Sequence, residues 1–369
     1  MRTEELVKVM RRRRLDSVLV TDQANLRALT GINCDNAVLK IEAGQVGRVG
    51  RVGRAGRLRG ENVTFFTDFR YVPMVHRVAP KLKCRDIKTF GARRKGLGAG
   101  ASRPRRIGYE STISHAKFLA WQKKFPKATF VDSSKDIAAI RAVKTSGEIA
   151  ALRAAEKLDC EIWETARGKF KAGMTERQMA RIIQKLMIEK GEGEAFSTSV
   201  CVGKNAAECH HEPDDTVWNG REPVLVDMGV RLNGVCSDLT RNLVPRSSRG
   251  ARVSRTYRQV YDLVLKANLA AIAAAKPGMT GKALDKVARD VIKKGGFGKC
   301  FGHSLGHGVG YEIHEAPYAS KKGDMVLKPG MLVTIEPGIY LEDNLGVRIE
   351  DLVLITEKGC EVLSSIASK

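Results

Sequence analysis

Apolar positions along this chain change spacing several times, and each change marks a predicted element. The opening segment RTEELVKVMRRRRLDS places apolar residues at helical intervals among charges, which predicts a short amphipathic helix with a basic end. Residues 15–43 then read as strand, helix and strand: LDSVLVT, DQANLRALTGIN and NAVLKIEA. The pattern breaks at AGQVGRVGRVGRAGRLRGEN and resumes with VTFFTDFRYV, a strand rich in aromatic residues. A loop, IKTFGARRKGLGAGASRPRRIGYE, leads into another strand, and residues 114–126 read as a helix. A domain border is expected near Asp136–Thr145.

Beyond that border the pattern repeats. A long helix is predicted from about Ser146 to Lys171, followed by AGMT and a second helix, ERQMARIIQKLMIEKG. The plan recurs as a helix over Thr256–Lys276, PGMT and the helix GKALDKVARDVIKKGG. Gly-Met-Thr thus falls at 173–175 and again at 278–280, each time just before a helix, with Thr in the N-cap position. Strand-like segments follow each helix pair. Two α+β halves related by a pseudo-twofold axis are the expected architecture, with a site at their seam.

Composition changes the picture little. The chain has 369 residues, 43% hydrophobic, enough for two domains. No segment is apolar for the ~20 residues of a membrane helix, and the charged N-terminal segment lacks the apolar stretch of a secretory signal. The eight cysteines form no C-x-x-C pair, which argues for reduced thiols and a cytoplasmic location. The net charge of +23 can draw anions or nucleic acid, but dispersed surface charge is the preferred account. The glycine–arginine tract at about 44–62 sits where a hairpin turn is expected and reads as a flexible insertion. As a nucleic-acid contact it lacks interleaved aromatic residues.

The chemistry is concentrated in the later segments. Asp227, Asp238, His307, Glu336 and Glu350 sit in VLVDMGV, CSDLTRN, GHSLGHGVG, VTIEPGIY and GVRIEDL. Carboxylates beside β-branched apolar runs are expected to be buried, and buried carboxylates must be paired or bound to metal. An oxygen-rich set with one imidazole and no sulfur suits a hard or borderline divalent ion; manganese fits first, with cobalt and zinc as alternatives. The count fits two ions ~3.5–4 Å apart, as in two-metal hydrolases. The histidine spacing at His303 and His307 is not a zincin motif, because no HExxH helix is present.

These motifs resemble the pita-bread-fold metallopeptidases, a family that includes methionine aminopeptidase, Xaa-Pro aminopeptidase (aminopeptidase P), prolidase and creatinase. LDSVLVTDQANLRALTG and TFFTDFRYV are similar to the first domain of its creatinase-type members. The resemblance implies a smaller α/β creatinase-like domain over residues 1–137 and an α+β pita-bread catalytic domain over 138–369. It implies that Asp227 chelates one metal, that Asp238 and Glu350 bridge both, and that His307 and Glu336 complete the second. Glu336 would also carry a proton from the attacking water to the leaving amine. His210, in GKNAAECHHEP, resembles the histidine that hydrogen-bonds substrate. The family usually has Pro-His-His there; Cys209 replaces the proline, which leaves His210 and His211 as alternatives. His303 resembles a residue of the substrate pocket, and His314, in YEIHEAP, one that meets the scissile carbonyl. Arg348, two residues before Glu350, is suited to hold a carboxylate at the metal site or to gate it.

The expected activity is hydrolysis of the bond between an N-terminal residue and a following proline, by a hydroxide bridging two metals. Aminopeptidase P stands first and Xaa-Pro dipeptidase (prolidase) is the alternative. A remote alternative is a catalytically weak relative that binds nucleic acid or protein; the intact ligand set argues against it. Short proline-containing peptides, a homodimer and no membrane association are the expected partners and setting.

Overall fold

The computed structural model describes residues 2–43, 63–91, 105–245 and 253–369. The glycine–arginine tract at 44–62 and the glycine-rich stretch at 96–100 lie outside the described residues. The chain divides into two compact units, Met1–Arg141 and Ala142–Lys369.

The first unit runs α1 (Arg2–Arg13), β1 (Ser17–Val20), α2 (Gln23–Thr30), β2 (Ala37–Glu42), β3 (Val63–Thr67), α3 (Val72–Val78), β4 (Lys83–Asp86), β5 (Arg105–Tyr109), α4 (His115–Lys124), β6 (Ala128–Asp132) and α5 (Ser134–Ala142). Its sheet has the order β4-β3-β2-β1-β5-β6. The inner strands are apolar on both faces because helices cover the sheet: Val18, Leu39 and Phe65 pack with Leu6 and Met10 of α1, while Leu19, Phe66 and Ile107 pack with Trp121 of α4. One expectation fails locally. The predicted strand through Val72 stops at Thr67, where Asp68 captures Arg70 through two hydrogen bonds from its guanidinium and one from its backbone N–H. Pro73 then suits the first turn of α3.

The second unit carries α6 (Ser146–Arg167), α7 (Glu176–Lys190), β7 (Ser199–Val202), β8 (Val224–Met228), β9 (Arg231–Leu232), β10 (Val235–Cys236) and β11 (Leu239–Leu243). It continues with α8 (Arg255–Ala274), α9 (Gly281–Lys294), β12 (Gly306–Gly308), β13 (Glu315–Ala319), β14 (Leu332–Ile335), β15 (Gly338–Leu341), β16 (Leu345–Arg348), β17 (Asp351–Ile355) and β18 (Cys360–Val362). The internal repeat is visible in hydrogen bonds. Thr175 caps α7 by accepting from Gln178 N–H, and Thr280 caps α9 by accepting from Ala283 N–H. Ahead of each cap a glycine has positive φ, 91° at Gly173 and 86° at Gly278. Gly173 N–H bonds Trp218 O and Trp218 N–H bonds Met174 O; Gly278 and Leu327, and Leu327 and Met279, make the matching pairs. A smaller α/β unit followed by an α+β unit built of two matching halves is the architecture that the resemblance implies.

The halves differ at the first helical residue after each cap. Glu176 opens α7, whereas Gly281 opens α9, and a Cβ on Gly281 would lie 2.0 Å from Tyr318 O. A backbone carbonyl in a strand cannot yield that much. Gly281→Ala is therefore expected to destabilise the second unit by about 1–3 kcal/mol; an unchanged denaturation midpoint would refute this packing.

Candidate metal centre

Strand pairing assembles the acidic residues. β8 and β11 are antiparallel with Asp227 opposite Thr240, and Asp238 immediately precedes β11. Glu350 lies between β16 and β17, and its N–H bonds Thr240 O at 3.2 Å. Oxygens of Asp227, Asp238 and Glu350 come within 4.8 Å of one another. Glu336 lies between β14 and β15, and His307 is on β12. His307 Nε2 is 3.4 Å from Glu336 Oε1 and 3.5 Å from Asp238 Oδ2. Both halves of the unit thus contribute to one cluster.

The glycines of GHSLGHGVG place His307. A Cβ on Gly306 would lie 1.9 Å from Thr334 O, and one on Gly308 would lie 2.3 Å from Ala316 O. Only glycine lets β12 lie this close to both neighbouring backbones. Thr334 Oγ1 accepts from His307 N–H at 3.0 Å and donates to Glu336 Oε1 at 3.1 Å, so one hydroxyl orients both residues.

Burial raises the Asp238 carboxyl well above the usual range, and the charges of Glu350, Asp227 and Glu336 add to this. Glu350 is raised by burial and by Glu336 and Asp227. Glu336 is pushed up to about 8 by burial, against the pull of Arg348 and with the help of Asp227. Each shift favours the protonated form in the absence of a cation. His307 is pushed down to about 4 by burial and by His314, so it is neutral. Its Nδ1 faces Gly308 O at 3.1 Å; assigning the proton there leaves the Nε2 lone pair facing carboxylate oxygens.

A divalent cation would relieve these conflicts. Asp227 Oδ1 and Glu350 Oε1 are buried without a hydrogen-bond partner, which is where unmet ligand capacity is expected. The donor set is oxygen-rich with one imidazole, which suits a hard or borderline ion. A second acidic group, Glu176, His211 and Asp214, also clusters. It is already satisfied: Glu176 accepts from Val202 N, Asn205 Nδ2, His211 Nε2 and Asp214 N at 2.6, 2.9, 2.7 and 3.1 Å. Those four bonds fill its lone pairs.

Arg348 is buried and donates to Asp227 Oδ2 at 2.5 Å, Thr240 Oγ1 at 3.0 Å and the Tyr340 hydroxyl at 2.8 Å. It holds a carboxylate of the cluster and is not a surface ion pair. Tyr340 is also 2.9 Å from His303 Nε2, and His303 Nδ1 faces Ser304 O at 2.8 Å. Both ring nitrogens of His303 are thus engaged, and burial and the Arg348 charge push it down to about 4. His314 is exposed, with its ring 4.3 Å from that of His307. His210 is exposed, whereas His211 is bound to Glu176; burial pulls the His211 pKa down, but its hydrogen bonds to Glu176 and Glu208 carry it above the usual value. The open choice between these histidines leaves only His210 with its side chain at the surface.

Sequence reasoning missed Thr240, Thr334 and Tyr340. Thr240 donates to Glu350 Oε2 at 2.7 Å while accepting from Arg348, so it joins two acidic strands. Strand alternation puts Thr240 on the face of Asp238, and Thr334 on that of Glu336, which was the available signal. Beneath the cluster, Glu156 on α6 accepts from Asp238 N at 3.3 Å and Ser364 Oγ at 2.6 Å.

The Peptidase_M24 model, metallopeptidase family M24, matches residues 150–357, and the creatinase/prolidase N-terminal domain model matches residues 2–143. A curated relative, the Xaa-Pro dipeptidase of Pyrococcus furiosus, is 45% identical over 193 residues, covering 52% of this chain and 54% of that protein. The chain thus spans about half the length of the curated relatives it matches. Among solved structures, prolidase from Pyrococcus furiosus matches with a TM-score of 0.82 and 32% identity, covering 97% of this chain and 98% of that one. X-Pro aminopeptidase from Thermotoga maritima MSB8 matches with a TM-score of 0.79 and 28% identity, covering 99% and 97%. No helix among the described residues is long and apolar enough to cross a membrane.

The electrostatics set a pH test. Carboxyls with raised folded-state values stabilise the metal-free protein fully only below their ordinary range, near 4.5, and that contribution is lost as pH rises toward about 8 for Glu336. The melting temperature of chelator-treated protein is expected to fall over this interval. A divalent cation at about 100 times its Kd should add ~2.7 kcal/mol, and Asp238→Asn should abolish that gain. A flat metal-free profile, or equal stabilisation of Asp238→Asn, would contradict the assignment.

Proposed function

The chain belongs to metallopeptidase family M24, and from that premise we propose that it is an Xaa-Pro dipeptidase acting on short proline-containing peptides with two divalent ions, manganese first among them. The observation that carries the reading is the pair of orphaned carboxylate oxygens, on Asp227 and Glu350, beside the lone pair of His307. Sequence alone put aminopeptidase P ahead of the dipeptidase. The order is reversed here because the relatives at 45% and 32% identity are named Xaa-Pro dipeptidase and prolidase.

In this reading Asp227, Asp238, His307, Glu336 and Glu350 hold the ions, which supply Lewis acidity and acidify water. Arg348 fixes Asp227, and Thr334 fixes the carboxyl of Glu336. Water adds to the carbonyl carbon of the Xaa-Pro bond. Glu336 accepts its proton on a carboxylate oxygen and delivers it to the prolyl nitrogen as the C–N bond breaks. A free amino acid and proline leave. His314 and His210 would hydrogen-bond the peptide, and His303, tied to Tyr340 at 2.9 Å, would support the substrate side of the site.

The test compares Xaa-Pro, Xaa-Pro-Xaa and Met-Ala-Xaa peptides after stripping and reloading with manganese. Dipeptide turnover is expected to dominate, with Glu336→Gln lowering kcat by about 10²–10⁴-fold and Asp238→Ala removing activity. Preference for the tripeptide would restore the aminopeptidase reading. No turnover with manganese, cobalt or zinc would overturn the enzyme.

A further inference from the structure

The saturated cluster at Glu176 has no part in the proposed chemistry, yet its side chain is wholly buried. Its four hydrogen bonds reach the end of β7 at Val202, then Asn205, His211 and Asp214, and so span the segment that carries Cys209 and His210. Further bonds fix the same segment to the start of α7. Glu176 N–H bonds Thr216 O and Arg177 N–H bonds Asp214 O, both at 3.1 Å, while Ser199 Oγ donates to His211 O at 3.0 Å.

The other side of this segment meets the metal centre. A Cβ on Gly346 of β16 would lie 1.6 Å from Ala206 O, so the two backbones are pressed together. The Cys209 thiol lies against the Tyr340 hydroxyl and feels the charges of Arg348 and Glu336. His210 is close enough for its charge to bear on His303. The segment therefore bridges a buried carboxylate at one end and the Tyr340–Arg348 network at the other.

We propose that the Glu176–His211 pair is a positioning clamp that sets the 203–214 segment so that Cys209 and His210 form the peptide-facing wall of the metal centre. This rests on the peptidase reading of that centre. The fold itself does not require the clamp. At the matching position of the second half, Gly281 opens α9 with no side chain, and the bonds from Gly281 N–H to Met325 O and from Lys282 N–H to Gly323 O repeat those of Glu176 and Arg177 without a side-chain clamp. Nor is the cluster a metal site, because all four acceptor positions of Glu176 are filled. Glu176 and His211 touch no reacting atom and act through His210.

The test uses the full chain loaded with manganese, with His211→Phe and His211→Gln beside the wild type. The Gln amide can still donate to Glu176; Phe cannot. Steady-state kinetics on an Xaa-Pro dipeptide are paired with metal content and with the rate at which iodoacetamide labels Cys209, read peptide by peptide. His211→Phe is expected to raise KM about tenfold, the scale of one hydrogen bond to a charged group, with kcat and metal content retained and Cys209 labelled faster. His211→Gln should return both readouts most of the way. A lower melting temperature with unchanged KM and labelling would reduce the pair to ordinary fold stability and overturn the proposal, as would a loss of metal. If His211→Phe does not fold, His211→Gln and His211→Asn carry the same comparison, and wild-type KM and labelling in both would overturn it. An inactive wild type would overturn the peptidase reading alone, since labelling needs no turnover.

Discussion

Like charges forced together out of water govern this molecule. Asp227, Asp238, Glu336 and Glu350 meet in one place, and burial with mutual repulsion raises three of them. Such a cluster persists only if it takes up protons or is supplied with opposite charge. Arg348 supplies part of it at Asp227. In the proposed reading cations would supply the rest, beside the unpartnered oxygens of Asp227 and Glu350. The same arrangement that strains the metal-free protein would be the source of metal affinity in the proposed reading.

Holding that cluster requires a rigid surround, and the duplicated architecture provides it. Each half presents strands after a pair of helices, and the ligands come from strand ends of both. Arg241 crosslinks them. Its guanidinium, 1% exposed, reaches Asp351 at 3.0 Å, Ser364 O at 3.1 Å and Glu350 O. Asp351 in turn receives Asn268 at 2.9 Å and Lys369 at 2.6 Å. A buried arginine with this many acceptors fixes one register between β11 and the strand at Glu350, and removing it would leave Asp351 buried with less compensation. Thr240, bonded to both Glu350 and Arg348, transmits that register to the ligands.

The two repeats have diverged where function asks for it. Gly-Met-Thr, the cap and the backbone pairings recur almost unchanged. The next residue does not: Gly281 admits a strand backbone, whereas Glu176 gathers a loop. One geometric template thus serves two ways of presenting a histidine, His314 ahead of β13 and His210 in the segment after β7. Backbone geometry is set by the cap and the glycine, and the side chain after them is free to specialise.

By itself the sequence determined the element plan, the repeat and the identity of the metal ligands as a proposal. Those depend on local patterns: helical spacing in α6 to α9, Thr caps, and carboxylates embedded in apolar strands. It misjudged the reach of the strand ending at Thr67, because a single aspartate capturing the chain leaves no periodic trace. It named His210 but left the choice over His211 open, since adjacent residues differ only in which way a loop turns them. Tertiary structure decided that His211 turns to Glu176, that both nitrogens of His303 are engaged, and that Arg348 grips Asp227. These are pairings between residues 35 to 121 positions apart in cases such as His211–Glu176 and Arg348–Asp227. Local preference does not encode these two pairings; they form only when the fold brings separated segments around charges that cannot remain unpaired.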